Sequence, residues 1–356
     1  MSEKVLMKGN EAMAEAAIMA GCHHYFGYPI TPQTEVAAYM SKRMPKVDGG
    51  VFLQAESEIA AINMVIGVAA TGKRVMTSSS SPGISLKSEG LSYLAGCDLP
   101  ALVVNVQRGG PGLGGIQPSQ SDYFHATRGA GHGDFHMIVL APASVQEMVD
   151  LTFKAFDLGD KYRMPAMLLA DGTMGQMMEP VTLDAKNVTK YDKPWALTGT
   201  KEKRKPNIVN SLFLKPEELE QFNFERYERY AQVEKNEVMY EEYRMEDAEI
   251  CIVAFGVAAR VSQNAIDEAR EKGIKVGMIR PITLWPFPKD VLNKAADKVN
   301  SFISVELNMG QMIEDIELAT RCKKPVLLCN RVGGMIPTTQ NVLDKIDEAV
   351  KMGGAK

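Results

Sequence analysis

Residues 101–110 read Ala-Leu-Val-Val-Asn-Val-Gln-Arg-Gly-Gly, a largely apolar, valine-rich run that ends at an arginine and two glycines. A short apolar run bounded by turn residues is typical of a strand that is buried on both faces of a sheet. Comparable runs lie on both sides of it, at residues 24–27, 51–55, 74–78, 137–141 and 166–170. Helix-type patterns separate these runs, so the sequence predicts parallel strands in a doubly wound α/β sheet.

Capping residues indicate where the helices of this block begin. Asn10 is expected to cap a helix over residues 11–20, because its side chain can accept a hydrogen bond from the first free N–H groups. Thr31 followed by Pro32 is expected to open the next helix, with threonine at the cap and proline at the first helical position. Residues 58–70 are nearly all apolar and predict a third helix.

A second α/β block begins near residue 248. Its strand patterns lie at residues 249–255, 275–280, 302–305 and 325–328. The segment before it is polar and highly charged, and its 217–244 stretch predicts an amphipathic helix that packs on a neighbouring surface. We therefore expect three parts, which are a first domain over residues 1–180, a charged linker or surface segment over 181–247 and a second domain over 248–356.

Composition and charge exclude several classes of protein. The 356 residues are 45% hydrophobic and 24% charged, which is the balance of an ordinary globular protein. The net charge of -4 provides no overall basic field for nucleic acid or an anionic membrane surface. The sequence contains no run of about 18 apolar residues, so no membrane span is predicted. The N-terminus also lacks the pattern of a signal peptide. We therefore expect a cytoplasmic protein that binds neither nucleic acid nor membrane.

The cysteines and histidines show no metal-binding pattern. Five cysteines are scattered along the chain with no Cys-x-x-Cys pair, so neither a zinc site nor an iron–sulfur cluster is expected within it. This odd, scattered set also does not resemble a disulfide framework, in keeping with a reducing compartment. The five histidines lack metal-ligand spacing with acidic partners. We expect no metal site in this chain.

Glu58 is the first candidate for chemistry, because it stands at the start of the apolar helix pattern. In one interpretation it only compensates the helix dipole, which a carboxylate in the first turn does by about 0.3–1 kcal/mol. In the other interpretation it is a carboxyl group against an apolar wall, where burial disfavours the charged form. Such a group can share a proton with a heterocyclic nitrogen. The residue type and its position leave both interpretations open.

Three loops at the carboxyl ends of predicted strands are polar or rich in glycine. Residues 27–32, Gly-Tyr-Pro-Ile-Thr-Pro, form either a plain turn or a helix start that binds a carboxylate or phosphate. Arg108 lies among five glycines in residues 107–115, where it either binds a planar carboxylate or ties the loop down through carbonyls. The hydroxyl-rich residues 77–83 form either a simple turn or a cradle for a polar ring or anion. This last segment lacks the Gly-Lys-Ser/Thr of a nucleotide-binding P-loop.

Taken together, these segments resemble the alpha-type subunit of the 2-oxoacid:ferredoxin oxidoreductases. The matching pieces follow one another in order along almost the whole chain, at residues 27–32, 54–67, 77–86, 107–112, 131–134, 170–172, 280–288 and 306–311. Each piece alone is a weak match, whereas the ordered set is a strong one. The resemblance implies that the first block is a pyrimidine-binding thiamine diphosphate domain and that the second is a transketolase C-terminal-like domain.

The resemblance also implies roles for individual residues. Glu58 matches the family's glutamate, which is expected to hydrogen-bond the pyrimidine N1′ of thiamine diphosphate and so promote the imino form of the ring's amino group. Thr31 and Arg108 are expected to hold the substrate carboxylate, as a hydroxylic and cationic clamp would, with Tyr28 as a further substrate-binding residue. The other cofactor contacts that the resemblance implies are Pro29, Ile30, Ser80 and Gly83.

The cofactor site implied by the resemblance is incomplete in this chain. The diphosphate and Mg²⁺ normally need a Gly-Asp-Gly…Asn segment, and the near match at residues 170–172, Ala-Asp-Gly, has no suitably spaced asparagine. The resemblance therefore implies a beta-type partner subunit that holds the diphosphate, the Mg²⁺ and a [4Fe-4S] cluster. It also implies a gamma-type subunit, a small ferredoxin-like delta-type subunit, ferredoxin as electron acceptor and coenzyme A as co-substrate. Alone, the chain is expected to be inactive.

Residues 6–10 and 76–90 resemble most the branch of the family that oxidatively decarboxylates branched-chain 2-oxoacids such as 3-methyl-2-oxobutanoate. The 2-oxoglutarate branch is expected to have a glycine and a methionine where this chain has Ser81 and Lys87. Two alternatives stay open. The chain is the alpha subunit of a 2-oxoglutarate enzyme if Lys87 or Arg128 binds a second carboxylate, or it is a non-catalytic assembly subunit. The presence of the cofactor and clamp residues named above argues against the second alternative.

Overall fold

The structure, a computed structural model, describes residues 4–184 and 188–353. In the first part of the chain the strands are β1 (Lys4–Lys8), β2 (His24–Gly27), β3 (Val51–Gln54), β4 (Met76–Ser79), β5 (Leu102–Gln107), β6 (Ile138–Leu140), β7 (Ala166–Asp171) and β8 (Met178–Thr182). The helices of this part are α1 (Gly9–Met19), α2 (Thr34–Arg43), α3 (Glu58–Ala70), α4 (Ser81–Gly96), α5 (Tyr123–Arg128), α6 (Val145–Tyr162) and α7 (Gly172–Gln176).

The rest of the chain follows the same alternation. Its strands are β9 (Tyr240–Tyr243), β10 (Ile250–Val253), β11 (Val276–Pro281), β12 (Thr283–Trp285), β13 (Ser301–Glu306) and β14 (Val326–Asn330). Its helices are α8 (Pro216–Asn236), α9 (Gly256–Glu271), α10 (Lys289–Ala296), α11 (Met312–Thr320) and α12 (Thr339–Gly353). No helix within the described ranges combines the length and the apolar character that crossing a bilayer requires.

The first sheet confirms the predicted doubly wound α/β architecture. Its seven strands have the order β12-β6-β7-β5-β4-β2-β3, and all of them are parallel except β12. The valine-rich run forms β5, which is buried along its whole length between β4 and β7. Since β2, β4 and β5 are neighbours and parallel, their carboxyl ends lie side by side at one edge, where ligands bind in such sheets.

The second sheet has five strands in the order β14-β13-β10-β11-β9, with β9 antiparallel to β11. The charged segment before residue 248 therefore supplies a strand to this sheet. It also forms α8, which ends at Asn236 rather than continuing through residue 244 as the pattern predicted. The chain turns after Asn236 because β9 pairs with β11, and pairing along a neighbouring strand satisfies backbone groups that a longer helix would otherwise use.

Two predicted helix starts are wrong, because tertiary hydrogen bonds use the residues concerned. Helix α1 begins at Gly9 with Lys8 at its cap. The amide of Asn10 instead donates to the Pro32 carbonyl at 2.9 Å and to the Glu35 carboxylate at 3.0 Å. Helix α2 begins at Thr34, so Thr31 and Pro32, which are joined by a cis peptide bond, lie in the turn before it.

The two blocks are joined by paired strands and by buried polar contacts. Strand β12, from the second block, pairs with β6 of the first sheet through Thr283 with Leu140 and Trp285 with Val139. The Gln120 amide donates to the Phe255 carbonyl at 2.9 Å. Buried apolar side chains of both blocks form one continuous core. The division at residues 180 and 247 stays a proposal from the sequence, and β8 crosses the first of these boundaries.

Candidate functional site

The site lies where the loops after β2, β4 and β5 meet at the carboxyl edge of the first sheet. The loop after β2 runs from Tyr28 to Gln33, and β4 passes through Ser80 directly into α4. The loop after β5 contains Arg108 and the run of glycines. Helix α3 starts at the same edge, because it follows β3, which is parallel to β2. The fold therefore brings together the segments that the sequence singled out.

Glu58 is buried at the first position of α3, with 6% of its surface exposed. Ser57 caps this helix, since its hydroxyl accepts from the Ala60 N–H at 3.2 Å. The carboxylate lies against the first turn of α4, where a Cβ built on Gly83 would be 2.6 Å from Glu58 Oε1 and would overlap the Ser79 hydroxyl. A side chain at Gly83 would therefore require the Glu58 carboxylate and the Ser79 hydroxyl to move. Glu58 occupies a first helical turn, where a negative charge is favoured, and is also removed from water, so both sequence interpretations describe part of its environment.

Hydroxyl groups without partners lie at the end of β4 and the start of α4, and one of them, Ser79 Oγ, meets the same side of Gly83 as this carboxylate. Thr77 Oγ1, Ser79 Oγ and Ser80 Oγ are buried, and none of them has a hydrogen-bond partner among the described residues. Leaving a buried polar group unpaired costs about 1–3 kcal/mol, so such groups are uncommon unless something else satisfies them. Three such groups within four residues, one of them near a buried carboxylate, form the kind of cradle that a polar ring would complete.

Lys87 lies one helical turn beyond Gly83 on α4 and is completely buried. Its Nζ has no hydrogen-bond partner among the described residues. Burial lowers the pKa of Lys87 to about 8, and the nearby charge of Glu58 opposes part of that effect. The sequence offered Lys87 only as a candidate for a second substrate carboxylate, because nothing in its Ser-Leu-Lys-Ser-Glu neighbourhood indicates burial.

Arg108 and Thr31 are brought together as the sequence predicted, although through the threonine's backbone. Arg108 Nη1 donates to the Thr31 carbonyl at 3.0 Å, and Nη2 donates to the Leu113 carbonyl at 3.2 Å. The arginine therefore does tie down its glycine-rich loop. Its Nε is buried without a partner, and across residues 4–184 and 188–353 no carboxylate forms an ion pair with it. A buried guanidinium held only by neutral carbonyls retains the capacity to bind an anion.

The loop after β2 presents the remaining predicted residues. Tyr28 is exposed over 36% of its surface, and its carbonyl accepts from Gln33 Nε2 at 3.2 Å. Pro29 is exposed and Ile30 is partly buried. The carbonyl of Ile30 accepts from the Gln33 N–H at 3.1 Å. Within the described part of the chain, no side chain hydrogen-bonds to those of Tyr28, Pro29 and Ile30. The backbone of the loop is held by Gln33 and also accepts from Arg108, Asn10 and Gln176 at its last carbonyls.

A buried network that the sequence did not indicate anchors this loop to β4. The Ser78 hydroxyl donates to Gln33 Oε1 at 2.6 Å. The Tyr25 hydroxyl lies 2.8 Å from Ser78 Oγ and is therefore the donor to it. A Cβ on Gly27 would overlap the Tyr25 hydroxyl, so the glycine makes room for the network. The sequence carries one signal of this network, which is a tyrosine two residues before a glycine in a predicted strand. That pattern is too common to predict a buried network by itself.

A second network, also missed, joins the starts of α4 and α5 to the arginine loop. The Ser81 hydroxyl donates to Asp122 Oδ2 at 2.6 Å and accepts from the Arg108 N–H at 3.1 Å. Asn105 Nδ2 donates to the same Asp122 oxygen at 2.9 Å. Beside these contacts a cleft of about 720 Å³ opens between the two blocks. Its polar lining includes Ser81, Ser85, Arg108, Asp122, Asn308 and Gln311.

Asp171, in the near match to a diphosphate-binding segment, is used for structure. Its Oδ1 accepts from the N–H groups of Thr173 at 2.9 Å and Met174 at 3.0 Å, and Oδ2 accepts from the Val257 N–H at 3.3 Å. Burial raises the pKa of Asp171, and these backbone bonds oppose that shift. The residue caps α7 and ties the two blocks together. The described part of the chain has no group of three or more His, Cys, Asp or Glu residues placed to hold a metal ion.

The amino-acid sequence of this chain matches two family models and several known proteins. A family model described as "Pyruvate flavodoxin/ferredoxin oxidoreductase, thiamine diP-bdg" matches residues 15–246. A second model, "Pyruvate:ferredoxin oxidoreductase core domain II", matches residues 248–342. The subunit VorB of a ketoisovalerate oxidoreductase from Methanothermobacter marburgensis is 54% identical over 344 residues, which cover 96% of this chain and 97% of that protein. The 2-oxoglutarate synthase subunit KorA of Methanocaldococcus jannaschii is 37% identical over 358 residues, 92% of this chain and 95% of that protein.

Solved structures agree with these sequence matches. A 2-oxoglutarate:ferredoxin oxidoreductase from Magnetococcus marinus, solved with 2-oxoglutarate, coenzyme A and succinyl-CoA bound, superimposes with a TM-score of 0.86 at 28% identity. The match covers 98% of this chain and 66% of that one. A split-gene transketolase at 12% identity, with a TM-score of 0.61, shares the fold alone. The family predicted from the ordered motifs is thus confirmed, and the chain belongs to the 2-oxoacid:ferredoxin oxidoreductase family.

Proposed function

We propose that this chain is the alpha-type subunit of a thiamine diphosphate-dependent enzyme that oxidatively decarboxylates branched-chain 2-oxoacids, with 3-methyl-2-oxobutanoate as the preferred substrate. The acid and coenzyme A give an acyl-CoA that is one carbon shorter, CO₂, a proton and two electrons, which reduce two ferredoxins. The observation that carries the proposal is the buried Glu58 carboxylate against Gly83 and unpaired hydroxyls, in a chain 54% identical to a ketoisovalerate oxidoreductase subunit.

The residues on this edge of the sheet fit the aminopyrimidine half of the cofactor. When bound, thiamine diphosphate supplies an electron sink for decarboxylation. Glu58 would hold a proton at the ring nitrogen, since it is a buried carboxylate to which no cation of the described chain donates a hydrogen bond. Ser79 and Ser80 have free hydroxyls for a polar ring edge, and Gly83 leaves the space that a flat ring needs. The neighbouring Pro29 and Ile30 would add apolar contact with the ring.

Arg108 is proposed to bind the carboxylate of the 2-oxoacid together with Thr31 and Tyr28. The guanidinium is already fixed by the Thr31 and Leu113 carbonyls, so little side-chain freedom is lost when an anion binds. Its unpaired Nε supplies a donor, and the adjacent cleft between the blocks gives access. Holding the carboxylate at a fixed position orients the neighbouring keto carbon for reaction.

The alternative substrate 2-oxoglutarate would need a second cation for its distal carboxylate. Arg128, one candidate, pairs with Glu314 at 2.8 Å and with Asp315 at 3.0 Å. Lys87, the other, is completely buried on α4. Neither presents a free cationic group to the cleft. This arrangement favours a substrate with an apolar branched side chain.

Further subunits are proposed to complete the enzyme, since the two relatives described above are themselves named as subunits. A beta-type subunit would hold the diphosphate, the Mg²⁺ and a [4Fe-4S] cluster, and gamma-type and delta-type subunits would complete the electron path to ferredoxin. Coenzyme A is a bound ligand of the solved Magnetococcus relative and is proposed as the acyl acceptor here. The five cysteines of this chain are free thiols, as a cytoplasmic enzyme would have them.

The experiment that tests the proposal is purification of the complex containing this chain from its native host. Reduction of methyl viologen is then followed with coenzyme A and either 3-methyl-2-oxobutanoate, 2-oxoglutarate or pyruvate. We expect the highest kcat/KM with the branched-chain acid and no activity from this chain alone. A preference for 2-oxoglutarate would establish the alternative substrate, and turnover by the isolated chain would overturn the shared cofactor site.

A further inference from the structure

Lys87 is a completely buried lysine whose ammonium has no hydrogen-bond partner among the described residues. Lysine is almost never fully buried unless it is paired, because removing an ammonium from water is costly. The proposed binding of cofactor and substrate does not use this residue. Its position therefore calls for a role within the fold or the site.

The helix geometry shows which neighbour Lys87 faces. Residues 83, 87 and 90 follow one another at the spacing that puts side chains on one face of a helix. On that face, Gly83 contacts the Glu58 carboxylate, and a Cβ on Gly90 would lie 2.5 Å from Ile62 Cγ1. Glu58 and Ile62 are themselves one turn apart on α3. Lys87 thus lies on the side of α4 that packs on α3, between the levels of Glu58 and Ile62.

The Glu58 carboxylate is the charged group that favours the ammonium of Lys87 in this environment. The two groups do not form a direct ion pair within 4.0 Å. Their attraction therefore acts through space in a poorly solvated interior, where charges interact more strongly than in water. Each charge offsets part of the cost of burying the other.

We propose that Lys87 is a positioning residue that holds the Glu58 carboxylate turned toward Gly83, where it meets the ring of the cofactor. This inference rests on the proposed function of Glu58. A buried carboxylate without a nearby cation takes up a proton or swings toward water. With Lys87 on the same face of α4 as Gly83, the carboxylate is held where it would meet the ring nitrogen.

A double-mutant cycle on the full chain without cofactor tests the coupling directly. Lys87→Met keeps a side chain of similar length without the charge, and Glu58→Gln keeps the shape of the carboxylate. Urea unfolding is measured for both single variants and for the double variant. We expect Lys87→Met to raise the free energy of unfolding more in the Glu58→Gln background than in the wild-type background. Only the Lys87→Met single variant keeps the Glu58 carboxylate without its compensating cation. Equal effects in both backgrounds would overturn the inference.

Lys193→Met provides the matched control. Lys193 is also largely buried, but its ammonium contacts Asp160 and the Gly72 carbonyl, on a different part of the first block. Its effect on unfolding is expected to add to that of Glu58→Gln without coupling. Coupling of similar size in this control would mean that the cycle reports a general response of the fold, and the inference would fail.

Steady-state kinetics of the assembled complex separate this inference from the proposed function. Because Lys87 acts through Glu58, we expect Lys87→Met to lower kcat by about tenfold or more while the KM for the 2-oxoacid changes little. A raised KM with unchanged kcat would instead make Lys87 a substrate-binding residue. If Glu58→Gln turns over normally, the proposed function of Glu58 fails whatever the cycle shows. If Glu58→Gln is inactive while Lys87→Met keeps a normal kcat, the inference about Lys87 fails alone.

Discussion

Replacing Gly83 with alanine tests the geometry of the site with a single methyl group. The new Cβ would lie 2.6 Å from Glu58 Oε1 and would overlap the Ser79 hydroxyl. Ordinary contact begins at 3.4 Å, so moving from 2.6 to 3.4 Å requires the carboxylate to retreat by about 0.8 Å. The Ser79 hydroxyl has no partner to lose and can rotate away, whereas Glu58 is fixed at the start of a packed helix.

Two opposing terms set the stability of this variant. Inserting a methyl group into a packed region costs about 1–3 kcal/mol, and alanine in a helix is favoured over glycine by about 0.5–1 kcal/mol. The net loss is about 0–2.5 kcal/mol, so the chain is expected to fold. A misplacement near 1 Å in a catalytic arrangement costs about 100-fold in rate. We therefore expect kcat to fall about 100-fold, far more than the small loss of stability would explain.

The assay is methyl viologen reduction by the assembled complex, with urea unfolding of the full chain measured in parallel. Gly67→Ala is the control, because Gly67 is also helical and, beyond its own helix, no atom of the residues that the structure describes lies within 4 Å of the position of its Cβ. The double variant Ser79→Ala, Gly83→Ala removes one of the two overlaps and should recover stability without recovering turnover. Normal turnover by Gly83→Ala in an intact complex would refute the placement of the Glu58 carboxylate at the reacting centre.

Glu58→Gln is expected to abolish decarboxylation and leave assembly intact, since an amide cannot exchange a proton with the ring nitrogen. Turnover measures the first effect and gel filtration the second, and retained turnover would contradict the cofactor role of Glu58. Arg108→Ala is expected to raise the KM for the 2-oxoacid by about 30-fold or more, because losing one partner of a buried charge pair costs about 2–5 kcal/mol. An unchanged KM in that variant would exclude the clamp. Burial lowers the pKa of Lys87 from 10.5 to about 8. Between pH 8 and pH 10.5 the unfolded chain therefore binds more protons at this lysine than the folded chain does. The free energy of unfolding of the wild type should therefore rise across that pH window, by up to about 3 kcal/mol relative to Lys87→Met. Unfolding free energies that follow pH in parallel for the two proteins would contradict the lowered pKa of Lys87.

The fold was predictable wherever local pattern decides it. The apolar run of β5 is buried on both faces in the structure, and the alternation with helices predicted the parallel sheet. The starts of α1 and α2 were not predictable, because Asn10 and Gln176 both donate to the Pro32 carbonyl from distant parts of the chain. A capping preference of about 1 kcal/mol is easily overridden by such tertiary hydrogen bonds.

The candidate site was predictable in its charged and glycine residues and not in its supporting polar groups. Glu58, Gly83 and Arg108 follow strand ends, where the topology brings loops together. Lys87 and Gln33 lie in helical or turn segments whose local sequence is that of a surface. Their burial depends on which element packs over them, and that information is spread over residues far apart in the chain.

The short strand β12 decides how the molecule can be divided. It comes from the second block, yet it lies at the end of the first sheet and hydrogen-bonds only to β6 within that sheet. A protein truncated after Asp247 would lose it, and β6 would become an edge with unpaired N–H and C=O groups. Such an edge invites pairing with another copy of the chain. The first block produced by itself is therefore expected to aggregate, and studies of its ligands need the whole polypeptide.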